Sequence, residues 1–107
     1  ATKLNPELAE AWYGIAITYD YEGRYSDALN FIKKAISLDD EDPDYYFSQA
    51  HILEKLDRFT ESEEAYKNAV EIDPFLWEAY ADWANMNFEA GLKNEAISIL
   101  YEGIEYN

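Results

Sequence analysis

An internal repeat of 34 residues constrains this chain more than any other feature, because each unit of such an array must bury its apolar face on its neighbours. Stepping by that interval meets only small side chains: Ala16, Ala50 and Ala84; Ala28, Ser62 and Ala96; Ala35, Ala69 and Gly103. Large residues recur beside them at the same interval, as Trp12, Tyr46 and Tyr80 and as Ile32, Tyr66 and Leu100. Small side chains let two helix backbones approach, and a bulky residue on the neighbour fills the space beside them. The template therefore specifies helix packed on helix. No segment alternates apolar and polar long enough to form a strand.

Punctuation divides each repeat into two helices. Asn5-Pro6, Asp42-Pro43 and Asp73-Pro74 place a side-chain acceptor before a proline, the residue types suited to N-cap and first helical position. Ser26, Thr60 and Asn94 are the expected caps of the second helices, and Thr60 with Glu63 has the spacing of a capping box. Gly23 and Gly91 stand where first helices should end in a left-handed residue, with Asp57 at the equivalent place in the middle repeat. The predicted helices are 6–22, 26–39, 43–56, 60–72, 74–90 and 94–106. Short connections make consecutive helices antiparallel neighbours.

The segment AEAWYGIAITYDYEGRYSDALNFIKKAISLD, beginning at Ala9, resembles a tetratricopeptide repeat through Trp12, Ile15, Ala16, Tyr19, Ala28, Ile32 and Ala35. The second repeat matches the family pattern through Tyr46, Ala50, Leu53, Tyr66, Ala69 and Pro74, and the third through Tyr80, Trp83, Ala84, Ala96 and Leu100. The resemblance implies an all-α, right-handed α-solenoid of three tandem helix-turn-helix repeats, at about 9–42, 43–76 and 77–107, in a single domain spanning 1–107. Residues 3–8 read as the tail of a preceding repeat, so the chain is expected to be a piece of a longer array. Departures from the pattern are Asp40 for proline, Gln49 and Asn87 for apolar residues, and Ser62 and Gly103 for alanine. These are expected to loosen packing locally. Solenoids need a polar outer face on their last helix. Ile97, Leu100, Tyr101 and Ile104 are expected to stay uncovered, which points to self-association through the C-terminal helix.

Composition narrows the partners. A chain of 107 residues has room for one domain, and 49% hydrophobic and 17% aromatic residues suffice for a core. The net charge of −15 repels nucleic-acid phosphates and anionic lipid headgroups, so neither nucleic acid nor a membrane surface is an expected partner. There is no cysteine, which excludes disulfides and thiolate metal sites and leaves the redox compartment open. No apolar run approaches the roughly 20 residues that cross a bilayer, and the first residues lack a signal-peptide core. The compartment is left undetermined, with the cytoplasm as a guess.

In the tetratricopeptide family the first helices line a concave groove, and carrying that geometry over places the candidate site. The first repeat contributes Glu10, Tyr13, Gly14, Ile17, Asp20 and Tyr21. The second contributes Asp44, Phe47, Ser48, His51, Glu54 and Lys55, and the third Glu78, Ala81, Asp82, Asn85, Phe88 and Glu89. Seven acids, one base and several rings suit a protein or peptide carrying Lys or Arg beside apolar anchors. Tyr13, Tyr21, Phe47 and Phe88 are the candidate anchors, whereas Trp12, Tyr19, Tyr46, Tyr66, Tyr80 and Trp83 are read as core. Family members that clamp a chaperone's acidic carboxyl terminus use Lys, Arg and Asn. Here the corresponding positions hold Tyr13, Ile17, Ser48, Glu78 and Asp82, which argues against such a client.

Chemical sites find little support. The acidic run Asp39, Asp40, Glu41, Asp42 and Asp44 is interrupted by Pro43 and lacks the central glycine of a calcium loop. His51 is the only histidine, so a histidine-based metal cluster cannot be built. Glu63 and Glu64 are read as solvated acids on an exposed helix face, without the apolar surroundings that make a carboxyl a catalyst. No catalytic residue, metal or cofactor is expected. The function implied is a non-catalytic interaction scaffold; the alternatives are an architectural, self-associating segment or a regulatory arm of a larger enzyme.

Overall fold

A computed structural model describes residues 5–107 as six helices: α1 (Pro6–Tyr21), α2 (Tyr25–Leu38), α3 (Pro43–Lys55), α4 (Phe59–Ile72), α5 (Trp77–Glu89) and α6 (Lys93–Tyr106). Among the described residues there is no strand. The closest packing is within the pairs α1/α2, α3/α4 and α5/α6, after which α2 packs on α3 and α4 on α5. This is an all-α repeat solenoid measuring 40 × 28 × 18 Å. Of the segment 3–8, residues 3 and 4 lie outside the described residues, and Pro6–Leu8 form the first turn of α1.

First helices end in the same way three times. Gly23 (φ 78°), Asp57 (φ 60°) and Gly91 (φ 85°) adopt the left-handed conformation. The amides beyond them turn back in a Schellman pattern, with Arg24 N donating to Tyr19 O, Arg58 N to Leu53 O and Leu92 N to Asn87 O, each at 2.9 Å. Asp57 accomplishes without a glycine what Gly23 and Gly91 do with one. Asn5 and Asp42 cap α1 and α3, accepting from Leu8 N at 3.2 Å and Asp44 N at 2.9 Å.

Helix starts elsewhere depart from expectation. The second helices begin one residue earlier, after Arg24, Arg58 and Leu92, so Ser26, Thr60 and Asn94 sit inside the first turn and cap nothing. Charge pairing takes their place in two repeats: Arg24 Nε donates to Asp27 Oδ2 at 3.1 Å, and Arg58 grips both oxygens of Glu61 at 2.8 Å. The Thr60–Glu63 capping box does not form because Glu63 is engaged by the next repeat. α5 starts at Trp77 and not at Pro74, since Asp73 Oδ1 accepts from Phe75 N at 3.0 Å and holds residues 73–76 in a turn.

All nine small positions of the 34-residue register are buried. Three departures from the repeat pattern turn out to tighten the packing they were expected to loosen. Ser62 donates its hydroxyl to Ala50 O at 2.7 Å, tying α4 to α3 inside the core. Asn87 donates to Trp83 O at 3.1 Å and lies 3.4 Å from Glu63 Oε2. Gly103 lets α6 close on α5, because a Cβ there would stand 2.8 Å from both Trp77 Cζ3 and Tyr80 Cγ.

Of the six aromatics expected in the core, Tyr66, Tyr80 and Trp83 are buried. Trp12, Tyr19 and Tyr46 are only half-buried. Trp12 and Tyr19 instead sandwich Phe31, with ring centroids at 5.6 and 5.3 Å, while Arg24 lies 4.5 Å from the Tyr19 ring and Lys34 lies beside both Trp12 and Phe31 at 4.6 and 5.4 Å. Cations on ring faces let this half-exposed stack replace full burial.

Candidate functional site

The register of the first helices brings their polar faces together. His51, Glu54 and Lys55 on α3 face Asp82, Asn85 and Glu89 on α5 across a hollow of about 290 Å³, with Tyr66 of α4 contributing to its wall. From α1, Asp20 reaches the same region, its Oδ1 lying 3.5 Å from His51 Nε2. Three repeats thus contribute to one acidic centre. Two of its carboxylates are held in place: Tyr66 donates its hydroxyl to Glu54 Oε1 at 3.0 Å, and Asn85 Nδ2 donates to Glu89 Oε1 at 2.6 Å.

The electrostatics follow from crowding like charges in partial shelter from water. Desolvation pushes the Asp82 carboxyl above its ordinary value, with His51 opposing the rise and Glu78 adding to it. Burial pushes the Tyr66 phenol up, and the Glu54 charge and hydrogen bond push it further. At the other end of the groove, Glu10, Tyr13, Asp42, Asp44 and Tyr45 surround a second hollow of about 310 Å³. There Asp44 is raised by desolvation and then by Asp42, Asp73 and Glu78, and Tyr45 is pushed up to about 12 by burial and then by Asp42 and Asp39.

A third hollow, of about 320 Å³, has an apolar wall in which Phe88 of α5 stands beside Ile97 and Leu100 of α6. Set against expectation, His51, Glu54, Asp82, Asn85 and Glu89 share the central hollow and Asp20 joins them through His51. Glu10, Tyr13 and Asp44 share the second, and Phe88 with Asn85 borders the third. Phe47 is half-buried against the core, its ring 6.3 Å from that of Tyr66. Tyr13 also packs on the core, through Tyr45 at 4.8 Å. Ile17, Tyr21 and Glu78 remain on the exposed surface outside these hollows.

Sequence reasoning missed Tyr66, Tyr45 and Asp42 as lining residues. Tyr66 was assigned wholly to the core, yet a buried phenol needs a partner for its hydroxyl, and that need was a signal that its tip reaches an acid. Glu63 is the larger correction. Half-buried, it accepts from Trp83 Nε1 at 3.0 Å and so joins α4 to α5. Among the described residues no three His, Asp or Glu side chains converge as metal ligands, and no helix is long and apolar enough to cross a membrane.

Tetratricopeptide repeat family profiles match residues 9–42 and 43–75, together more than half of the chain. The chain belongs to the tetratricopeptide repeat family. Tetratricopeptide repeat protein 13 of Homo sapiens is 28% identical over 121 residues, a match covering 94% of this chain and 14% of that protein. The chain therefore spans about one seventh of that relative's length. Among solved structures, the Arabidopsis OM64 TPR domain superposes with a TM-score of 0.88 at 21% identity, covering 96% of this chain and 85% of that one. The first TPR of Spaghetti (RPAP3), bound to the HSP90 peptide SRMEEVD, gives 0.88 at 19% identity, covering 100% and 85%. These likenesses carry the fold.

Proposed function

We propose that the chain is a non-catalytic protein-interaction scaffold whose groove accepts a peptide or partner segment carrying Lys or Arg beside apolar anchors. The observation that carries this reading is the central hollow, where Glu54, Asp82 and Glu89 share the lining with His51 and one lysine, Lys55, and Asp20 of α1 approaches through His51. A basic side chain there offsets the desolvation that raises Asp82, and the nearby Phe88, Ile97 and Leu100 offer an apolar seat for its neighbour. The charged contacts set encounter rate and orientation, and the apolar seat supplies most of the affinity.

A related fold binds the acidic peptide SRMEEVD in Spaghetti (RPAP3). Glu78 and Asp82 stand here at positions that such a carboxylate clamp would give to basic or amide side chains, so an acidic tail meets like charge. The test is an amide-resonance titration of the chain with a Lys/Arg-rich peptide containing leucine or phenylalanine. Shifts confined to α3, α5, the facing residues of α6 and the adjoining turn of α1 support the groove. Shifts spread over the outer faces of α2 and α4, or none with a folded chain, refute it.

A further inference from the structure

The 34-residue register makes the two junctions between repeats comparable position by position, and they are not filled alike. Where α2 meets α3, Leu29 and Leu53 are buried, and Tyr25 and Leu56 are partly buried against the core. The same four positions where α4 meets α5 are Glu63, Asn87, Phe59 and Ala90. Two leucines have given way to polar residues, and a third is cut back to a methyl group. A hollow of about 180 Å³ opens there, with Met86 in its wall and with Phe59 and Leu92 left 50% and 46% exposed. Both walls of this junction are in place, repeat 2 on one side and repeat 3 on the other.

Glu63 is the one charged side chain lining this hollow. Its Oε2 accepts from Trp83 Nε1 at 3.0 Å and lies 3.4 Å from the Asn87 amide, which fixes the carboxylate in position. Among the described residues its Oε1 has no hydrogen-bond partner and no Lys or Arg stands within ion-pair distance of it. That oxygen is not sealed from solvent. Two neutral donors thus share one oxygen, and the second oxygen of a half-buried charge is left for a ligand. A carboxylate among apolar side chains is stabilised most by a cation that can leave water cheaply.

Size and surroundings select which cation. The volume is below the roughly 300 Å³ at which pockets for drug-sized ligands begin, so it suits a single side chain. Arginine matches each wall. Its guanidinium presents a rigid fork of N–H donors, is more weakly hydrated than an ammonium and stacks on aromatic faces such as that of Phe59. Its methylene stem covers apolar surface of the kind that Met86 and Leu92 offer.

We propose that the hollow at the α4/α5 junction is a second docking site, which receives one arginine side chain of a partner protein, its guanidinium on Glu63 Oε1 and its stem against Phe59 and Leu92. The site shares no lining residue with the central hollow of the groove, so the two are occupied independently. The net charge of −15 favours the approach of such a side chain.

Titration of the chain with N-acetylarginine amide, followed through the indole N–H resonance of Trp83, tests the proposal, because that proton is donated to the same carboxylate. The expected result is a saturable shift of this resonance together with the amides of Phe59 and Leu92. These three reporters lie outside the groove, so their response is read apart from groove binding. Glu63→Gln keeps an acceptor for the indole but removes the charge, and should weaken binding by on the order of tenfold or more. Ala90→Leu copies Leu56 of the other junction, and should close the hollow and abolish the shift while circular dichroism shows the helices retained. An unmoved Trp83 indole in the wild-type chain overturns the proposal. So does equal binding by Glu63→Gln, or binding that survives in folded Ala90→Leu, since the arginine would then sit elsewhere.

Discussion

Replacing Gly103 by alanine restores the residue expected in a tetratricopeptide pattern, and the structure predicts that it destabilises the chain. Alanine within a helix is favoured over glycine by about 0.8–1.0 kcal/mol. Against this, the added Cβ would stand 2.8 Å from Trp77 Cζ3 and Tyr80 Cγ and 3.0 Å from Tyr80 Cβ. Carbon contacts are comfortable only at about 3.5–4.0 Å. Trp77 is 39% exposed and can move aside, but Tyr80 is 1% exposed and the atoms in conflict lie next to its own backbone. Overpacking of this kind costs about 1–3 kcal/mol. Because Tyr80 cannot move aside, the clash outweighs the propensity gain, for a net loss of up to about 2 kcal/mol. Gly14 is the internal control, since it lies in α1 and a Cβ there meets nothing within 4 Å. Gly14→Ala should gain close to the full propensity difference. Thermal unfolding followed by circular dichroism reads both, at roughly 4–8 °C per kcal/mol for a domain near this size. If Gly103→Ala raises the midpoint as Gly14→Ala does, the account of how α6 closes on α5 is wrong.

Three further outcomes follow from the interior. Glu63→Ala removes the acceptor of a nearly buried indole and should cost about 1–3 kcal/mol in urea unfolding, most of it recovered by Glu63→Gln, whose amide oxygen still accepts; no change would return Glu63 to the role of a solvated surface acid. Ser62→Ala should cost about 1 kcal/mol, because Ala50 O loses its bond from the α4 hydroxyl, and an unchanged midpoint would argue that this bond contributes nothing. Tyr45 is pushed up from 10.0 to about 12 by burial and then by Asp42 and Asp39, so the unfolded chain releases this proton first as pH rises. The stability it confers is intact below pH 10 and declines by up to about 1.4 kcal/mol per pH unit until the folded phenol also ionises. Tyr45→Phe should flatten the alkaline side of the pH–stability curve, and an unaltered curve would exclude Tyr45 as its cause.

The sequence disclosed helix pairing and the close-packed seams, because a backbone approach demands a small side chain and leaves a periodic mark. Gly23, Asp57 and Gly91 were legible for a similar reason, as each first helix needs a left-handed residue at its end. The helix starts were less legible. Ser26, Thr60 and Asn94 have the right chemistry for caps, but Arg24 and Arg58 pair with acids three residues on, and the turn at Asp73 delays α5 to Trp77. Spacing puts His51, Glu54, Asp82, Asn85 and Glu89 on one face of the first helices, and in the structure they line one hollow. It could not reveal that Phe47 folds inward onto Tyr66, or that Glu63 turns toward Trp83, since both depend on the partner across an interface and not on their own helix.

The central claim is that an acidic, ring-lined groove selects a basic, apolar-anchored segment. Calorimetric titration of the chain with a peptide containing Lys, Arg and leucine, repeated at low and high salt and against a charge-reversed peptide of the same apolar sequence, tests it most directly. The expected result is saturable binding of the basic peptide, weakened by salt and by Asp82→Lys, and no binding of the acidic one. Equal binding of both peptides, or preference for the acidic one, would contradict it.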